Sequence, residues 1–304
     1  MKLGLSQART VGFDEEQNTW RHLNHPFVSD VVSLLSIGSG ELRQFFGEPS
    51  STPDGLPFLP GTLRSFALWE EHMINAAKGM VSKFGSGSLQ TLAAGYERVT
   101  GKMLAPMRPR ANYYRYPQYY MGNGRSLIAD QHELQWPLFS TVLDFELEIG
   151  LIISKQVRDC SPEEAQSAIG GLCIINDWSA RDTQWDDTRR GTFGGVVKAK
   201  TFAGSMSAIV VTSDEVLSQF SKLQGRVRVN GEIWCEGQTA GAMYEPWEMV
   251  RYAAMGETLV PGDILATGCL PGCSGLELGR FPKKGDLVQL EIDGIGTLAN
   301  RIKF

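Results

Sequence analysis

Histidine is scarce in this chain, and long apolar runs and nucleotide-binding glycine motifs are missing. With only four histidines, His22, His25, His72 and His132, any imidazole base can be named in advance. The five cysteines are odd in number and widely spread, which argues against a disulfide framework. Cys269 and Cys273 lie close together, but no second Cys/His pair at zinc-ligand spacing accompanies them, which argues against a structural zinc site. No apolar run approaches the roughly 20 residues of a membrane helix. Met1–Gln7 lacks the apolar segment of a signal peptide, so the expected location is cytoplasmic, with no membrane partner. A net charge of −5 gives no basic footprint for nucleic acid. The lysine-ended phosphate loop and the dinucleotide fingerprint are both absent, as is any internal repeat.

What is present is most informative at Leu143–Ile153, LDFELEIGLII, where acid and apolar residues alternate before the sequence turns wholly apolar. Period two predicts a strand with Asp144, Glu146 and Glu148 on one face and Phe145, Leu147 and Ile149 on the other. Adjacent acids entering a core repel one another unless a cation compensates them, and carboxylate oxygens are the ligands Mg²⁺, Ca²⁺ and Mn²⁺ prefer. The competing reading is an edge strand with a solvated acidic face.

The rest of the chain divides by composition. Residues 1–47 read as a small mixed unit, with Val28–Leu35 a short amphipathic segment. The Pro/Gly/Ser-rich stretch 48–61 is a linker or long loop, so the division expected is 1–60 and 61–304. A helix is expected from Thr62 to about Lys83, and a second over Leu89–Thr100. The aromatic segment Tyr113–Tyr120 lacks a helical period and reads as extended. Strands are expected at 143–154, 171–176, 207–212, 225–230, 263–267 and 286–293, with short helices at Ser161–Ala168 and Met243–Met255. Asn230-Gly231 between two strands predicts a hairpin turn. Many short strands with regular turns predict a β-rich sandwich or barrel decorated by helices.

Four further segments carry candidate chemistry. Asp177, in NDWSARD after the apolar strand 171–175, is a candidate ligand or an ordinary helix cap, and Arg181 could pair an anionic group. Lys200 in KAKTF could balance the acids or be solvated. His72, in WEEH, could act as a general base or lie on a charged helix surface. His132 sits in a polar turn and is expected at the surface. The loop Gly268–Gly275 is glycine-rich enough for close backbone approach, and nothing local in sequence activates Cys269 as a nucleophile.

Together these segments resemble the fumarylacetoacetate hydrolase family, its fumarylacetoacetase-like long subgroup. The motifs are LDFELEI (143–149), NDWSARDTQ (176–184), Lys200-Thr201-Phe202, VPGDILATG (260–268), GLELGR (275–280) and GIGTLANR (294–301), in the family's order. The resemblance implies a β-rich α+β fold, a mixed β-sandwich roll with a small N-terminal domain, and a homodimer. It implies a divalent metal, Mg²⁺ foremost with Ca²⁺ or Mn²⁺ as alternatives, on Glu146, Glu148 and Asp177. Asp144 is not a ligand in the pattern. His72 matches the catalytic histidine, Glu277 the acid that orients it, and Lys200 a catalytic lysine. Arg181, Gln184, Tyr120 and Cys269 match positions near metal or substrate. Three residues depart from the family. Ser65 replaces an aspartate of the metal site, Ala67 a substrate-touching tyrosine, and Cys269 a substrate-binding threonine.

The activity implied is metal-dependent hydrolysis of a C–C bond in a 1,3-dicarbonyl or acylpyruvate-type acid through a stabilised enolate, so the partner is a small anionic oxo-acid or diketone. The same enolate serves decarboxylation, isomerisation or hydration of a 2-oxo or β-keto acid. A non-catalytic homologue is the reading from a different class.

Overall fold

The computed structural model describes residues 1–303. Its backbone is built around the strand Leu147–Ile153, which pairs antiparallel with Ile169–Asn176 on one side and Ile264–Ala266 on the other. The alternation read in the sequence holds along this strand. Leu147, Ile149, Leu151 and Ile153 join the main core with Phe145, while Ile152 enters a second core on the opposite face.

The large sheet is mixed. Outward from Ile264–Ala266 come Leu63–Phe66, paired in parallel, and then Tyr119–Gly122, antiparallel. In the other direction, beyond Ile169–Asn176, lie Val210–Thr212 and then Lys2–Ser6, Arg9–Asp14, Thr19–Leu23 and Phe46–Ser50. A five-stranded sheet, with Gln224–Val229 and Leu287–Ile292 at its centre, packs Val227, Val288 and Leu290 into the main core against Leu151 and Leu172. Two apolar sheet faces burying each other make a sandwich, with helices on the outside. Among the described residues no sheet closes into a barrel. The second core brings Met1, Leu3, Leu34 and Leu42 against Ile152, Ile175 and Ile264.

Several local expectations are met for the expected reasons. Pro162–Ala168 starts at a capping box in which Ser161 and Glu164 satisfy each other's backbone N–H. The helix Gly87–Thr100 ends at Gly101 with a left-handed φ of 65°. Asn230 and Gly231, at φ 52° and 84°, form the tight turn between Gln224–Val229 and Glu232–Gln238.

Three expectations are corrected. Tyr113–Tyr120, expected to be extended, begins in the 3-10 turn Ala111–Tyr114 and becomes a strand only at Tyr119. The helix expected from Thr62 begins at Glu70, because Leu63–Phe66 is claimed as a strand by partners on both sides. The acidic strand is not continuous either. Leu143–Asp144 pairs with Ser179–Ala180, and Glu146 bridges to Ser274 before the longer strand starts at Leu147.

Candidate active site

The sheet delivers the acids to one place. Glu148 lies on the central strand opposite Ile175, and the chain leaves the neighbouring strand at Asn176 to present Asp177. Glu146 is fixed just before the strand, its N–H donating to Asn176 Oδ1 (3.0 Å). One carboxylate oxygen from each of Glu146, Glu148 and Asp177 lies within 4.8 Å of the others, and all three residues are buried. Asp144 is fully buried as well. The solvated-face reading is therefore wrong.

Asp144 has a different role from its neighbours. Its carboxylate accepts from Arg181 Nε (2.7 Å) and from the backbone N–H groups of Gly275 (2.7 Å) and Leu276 (2.9 Å). It ties the helix Arg181–Arg190 to the turn Gly275–Leu278.

Two cations face the acids. Lys200, also buried, donates to Glu146 Oε2 (2.5 Å) and Asp177 Oδ2 (2.8 Å). Arg181 Nη2 donates to Glu146 Oε1 (2.6 Å) and its Nη1 to Gln184 Oε1 (2.8 Å). The solvated-lysine reading and the helix-cap reading of Asp177 both fail: the helix begins at Arg181, after Ala180. Tyr120, brought beside Ser65 by strand pairing, donates its hydroxyl to Asp177.

The charges do not balance. Asp144, Glu146, Glu148 and Asp177 carry four formal negative charges against two positive ones on Arg181 and Lys200. Glu146 has both cations; burial opposes its ionisation, but Lys200 and Arg181 outweigh it and hold the carboxyl far below the usual range. Glu148 has no cation at ion-pair distance among the described residues. It accepts only from Ser65 Oγ (3.1 Å) and Gly268 N (3.3 Å), and burial, with Asp177 and Glu146 adding repulsion, pushes it well above the carboxylate range. Burial likewise raises Asp177. A deficit of two charges, at three convergent hard oxygen donors, fits a divalent cation of the Mg²⁺, Mn²⁺ or Ca²⁺ type.

His72, on the first turn of the helix Glu70–Phe84, is buried rather than on a charged surface. Its Nδ1 lies 2.8 Å from Glu277 Oε2, and its Nε2 lies 4.0 Å from Glu146 Oε1. Glu277 also receives the Ser274 hydroxyl (2.9 Å) and the Gly272 N–H (3.0 Å), so its oxygens act as acceptors throughout. In the neutral imidazole, Nδ1 is therefore the nitrogen that holds the proton and Nε2 the one that holds the lone pair.

A cavity of about 500 Å³ opens onto these groups. His72, Tyr120, Glu146, Glu148, Arg181 and Lys200 line it. Gln184 and Cys269 also reach it, as do Ser65 and Ala67. Asp177 and Glu277 stand behind this lining, held to it through Lys200 and His72. Burial pushes the Cys269 thiol well above its ordinary value, which leaves it a poor nucleophile. Gly268 is at φ 84°, and a Cβ there would fall 2.3 Å from the Phe66 carbonyl oxygen, so the glycine-rich loop does allow a close backbone approach. His132 is exposed, as expected.

Sequence reasoning missed Ser274 and the anchoring role of Asp144. It also missed the apolar stripe Met73, Ala76, Ala77 and Met80, which lines the same cavity and whose i, i+3, i+4, i+7 spacing was visible in sequence.

The family profile described as Fumarylacetoacetate (FAA) hydrolase C-terminal matches residues 91–303. An uncharacterized protein of Methanocaldococcus jannaschii is 33% identical over 188 residues, 62% of this chain and 73% of that protein. Oxaloacetate tautomerase YisK of Bacillus subtilis is 32% identical over 180 residues, 59% of this chain. The matched region spans 57% of that tautomerase's length. Among solved structures, a fumarylacetoacetate hydrolase from Exiguobacterium antarcticum superimposes with a TM-score of 0.68 at 19% identity, covering 99% of this chain and 98% of that one. The chain belongs to the fumarylacetoacetate hydrolase family, and the fold is that of its solved members.

Proposed function

We propose that this member of the family is a metal-dependent enzyme that moves a proton at the carbon beside the keto group of a small 2-oxo acid, interconverting keto and enol forms. The observation that carries the reading is the His72–Glu277 pair, 2.8 Å apart, with Nε2 turned toward the acidic cluster. The name of the Bacillus subtilis relative supports the same chemistry.

Glu146, Glu148 and Asp177 would hold the metal, Mg²⁺ foremost. Bound there, a divalent cation supplies Lewis acidity that stabilises negative charge on the substrate's oxygens. His72 takes the proton on Nε2, while Glu277 keeps Nδ1 protonated and stabilises the imidazolium that results. Lys200 has one N–H beyond those given to Glu146 and Asp177, and it offers that to the substrate's carboxylate. Arg181 and Tyr120 hold Glu146 and Asp177 in place. A cytoplasmic homodimer completes the proposal.

Hydrolytic C–C cleavage of an acylpyruvate-type acid is the second reading. It is favoured by a cavity large enough for a longer acyl chain and a water beside His72.

The test is exchange of the protons beside the keto group of 2-oxobutyrate in D₂O, followed by NMR with Mg²⁺. Exchange should vanish with a chelator and fall by about 10²–10⁴-fold in His72→Ala. An unchanged rate in that variant overturns the role of His72. With an acylpyruvate as substrate, incorporation of ¹⁸O from labelled water into a product carboxylate would instead establish the hydrolytic reading.

A further inference from the structure

The cavity has two chemically different ends. One is the acidic cluster with its two cations. The other is the face of the helix Glu70–Phe84 formed by Met73, Ala76, Ala77 and Met80. These four residues recur at i, i+3, i+4 and i+7, the spacing that normally packs a helix onto a core. Here they are only half-buried, because they border the cavity instead. Val196 and Ala67 line the same cavity.

Cations are the second consideration. Among the described residues, Arg181 and Lys200 are the only Lys or Arg residues lining the cavity. Each nitrogen of Arg181 already has one acceptor, in Asp144, Gln184 and Glu146, which leaves two of its five N–H groups. Lys200 is shared between Glu146 and Asp177. With a divalent cation the four carboxylates Asp144, Glu146, Glu148 and Asp177 are balanced by formal count, so a substrate's first carboxylate has the spare lysine N–H and the remaining Arg181 N–H groups. A second carboxylate laid along the helix stripe would face methionine and alanine, at a high desolvation cost.

Volume is the third. A four-carbon oxo-diacid has nine heavy atoms, each smaller than a water molecule at about 30 Å³. Such an acid fills only about half of the roughly 500 Å³ present.

Accepting the proposed enolisation of a 2-oxo acid, we infer that the substrate is a monocarboxylate with an apolar tail of several carbons, and that Met73, Ala77 and Met80 select it over dicarboxylates. The tail lies along the helix stripe and the oxo-acid head at Glu146, Glu148 and Asp177.

Inert oxamates, which carry the oxo-acid head but have no carbon to deprotonate, test this without turnover. Calorimetry on the Mg²⁺-loaded protein compares oxamate, an N-alkyl series from ethyl to hexyl, and N-oxalylglycine, which ends in a carboxylate. Affinity should rise about three- to fourfold per methylene, and N-butyloxamate should bind at least tenfold tighter than N-oxalylglycine. Met80→Lys should reverse that order. Tighter binding of N-oxalylglycine by the unaltered protein, or no gain with chain length, overturns the inference while leaving the enolisation reading standing. If no oxamate binds the metal-loaded protein, both fall.

Discussion

His72 and Glu277 are separated by 205 residues in sequence, and their side chains meet at 2.8 Å. The pairing depends on a third element. Asp144 fixes the turn Gly275–Leu278 through two backbone N–H groups, and that turn carries Glu277.

Glu277→Gln should therefore lower turnover without loosening the metal. The amide can offer its NH₂ where an acceptor stood, which favours the wrong imidazole tautomer. A fall in kcat of about 10²–10⁴-fold is expected. Calorimetric Mg²⁺ affinity should stay within error of the original. A parallel loss of metal binding would mean that Glu277 supports the cluster rather than the histidine.

Ser65→Asp should separate metal affinity from stability. Ser65 Oγ sits 3.1 Å and 3.2 Å from the two oxygens of Glu148, so an aspartate there adds a negative charge to a buried cluster already short of cations. Without metal the variant should lose about 1–3 kcal/mol of stability in urea unfolding. With Mg²⁺ it should bind the ion at least tenfold tighter. Tighter binding is the direction an added hard ligand dictates.

Asp144→Ala should behave as a structural lesion. It leaves the guanidinium of Arg181 buried beside one partner fewer and orphans the N–H groups of Gly275 and Leu276. Breaking one side of a buried ion pair costs about 3–5 kcal/mol. Equilibrium unfolding in urea measures it, and a change below about 1 kcal/mol would contradict the anchoring role.

Divalent cations should stabilise the protein itself. Bound only by the folded state, Mg²⁺ at a hundredfold excess over its Kd adds about 2.7 kcal/mol. The melting temperature should rise with Mg²⁺ and fall back with EDTA. Glu148→Gln should abolish most of that response, and its metal-free form should be at least as stable as the original, because burial already opposes ionisation of Glu148 and the amide is neutral.

Much of this was legible locally. The alternation at 143–149 marks one apolar face and one acidic face, and the glycine at 268 marks a backbone position that a side chain would block. Capping and turn signals at Ser161 and Asn230-Gly231 act over a few residues, so sequence specifies them. The segment Leu63–Phe66 shows the opposite case. Its composition suits the start of a helix, but Ile264–Ala266 and Tyr119–Gly122 supply hydrogen-bonding edges on both sides, and a strand forms. Those partners are far away in the chain, so no local window contains the information.

The sequence by itself determined which residues could do chemistry: acids suited to a hard cation, one histidine in the acidic run WEEH, and Lys200 of KAKTF. The tertiary structure decided their charge balance. Burial of Asp144, Glu146, Glu148 and Asp177 around Arg181 and Lys200 leaves two negative charges uncompensated. It also turns the stripe Met73–Met80 from core into cavity wall. Desolvation and proximity set both outcomes. They arise only when segments tens to hundreds of residues apart are brought within a few ångströms.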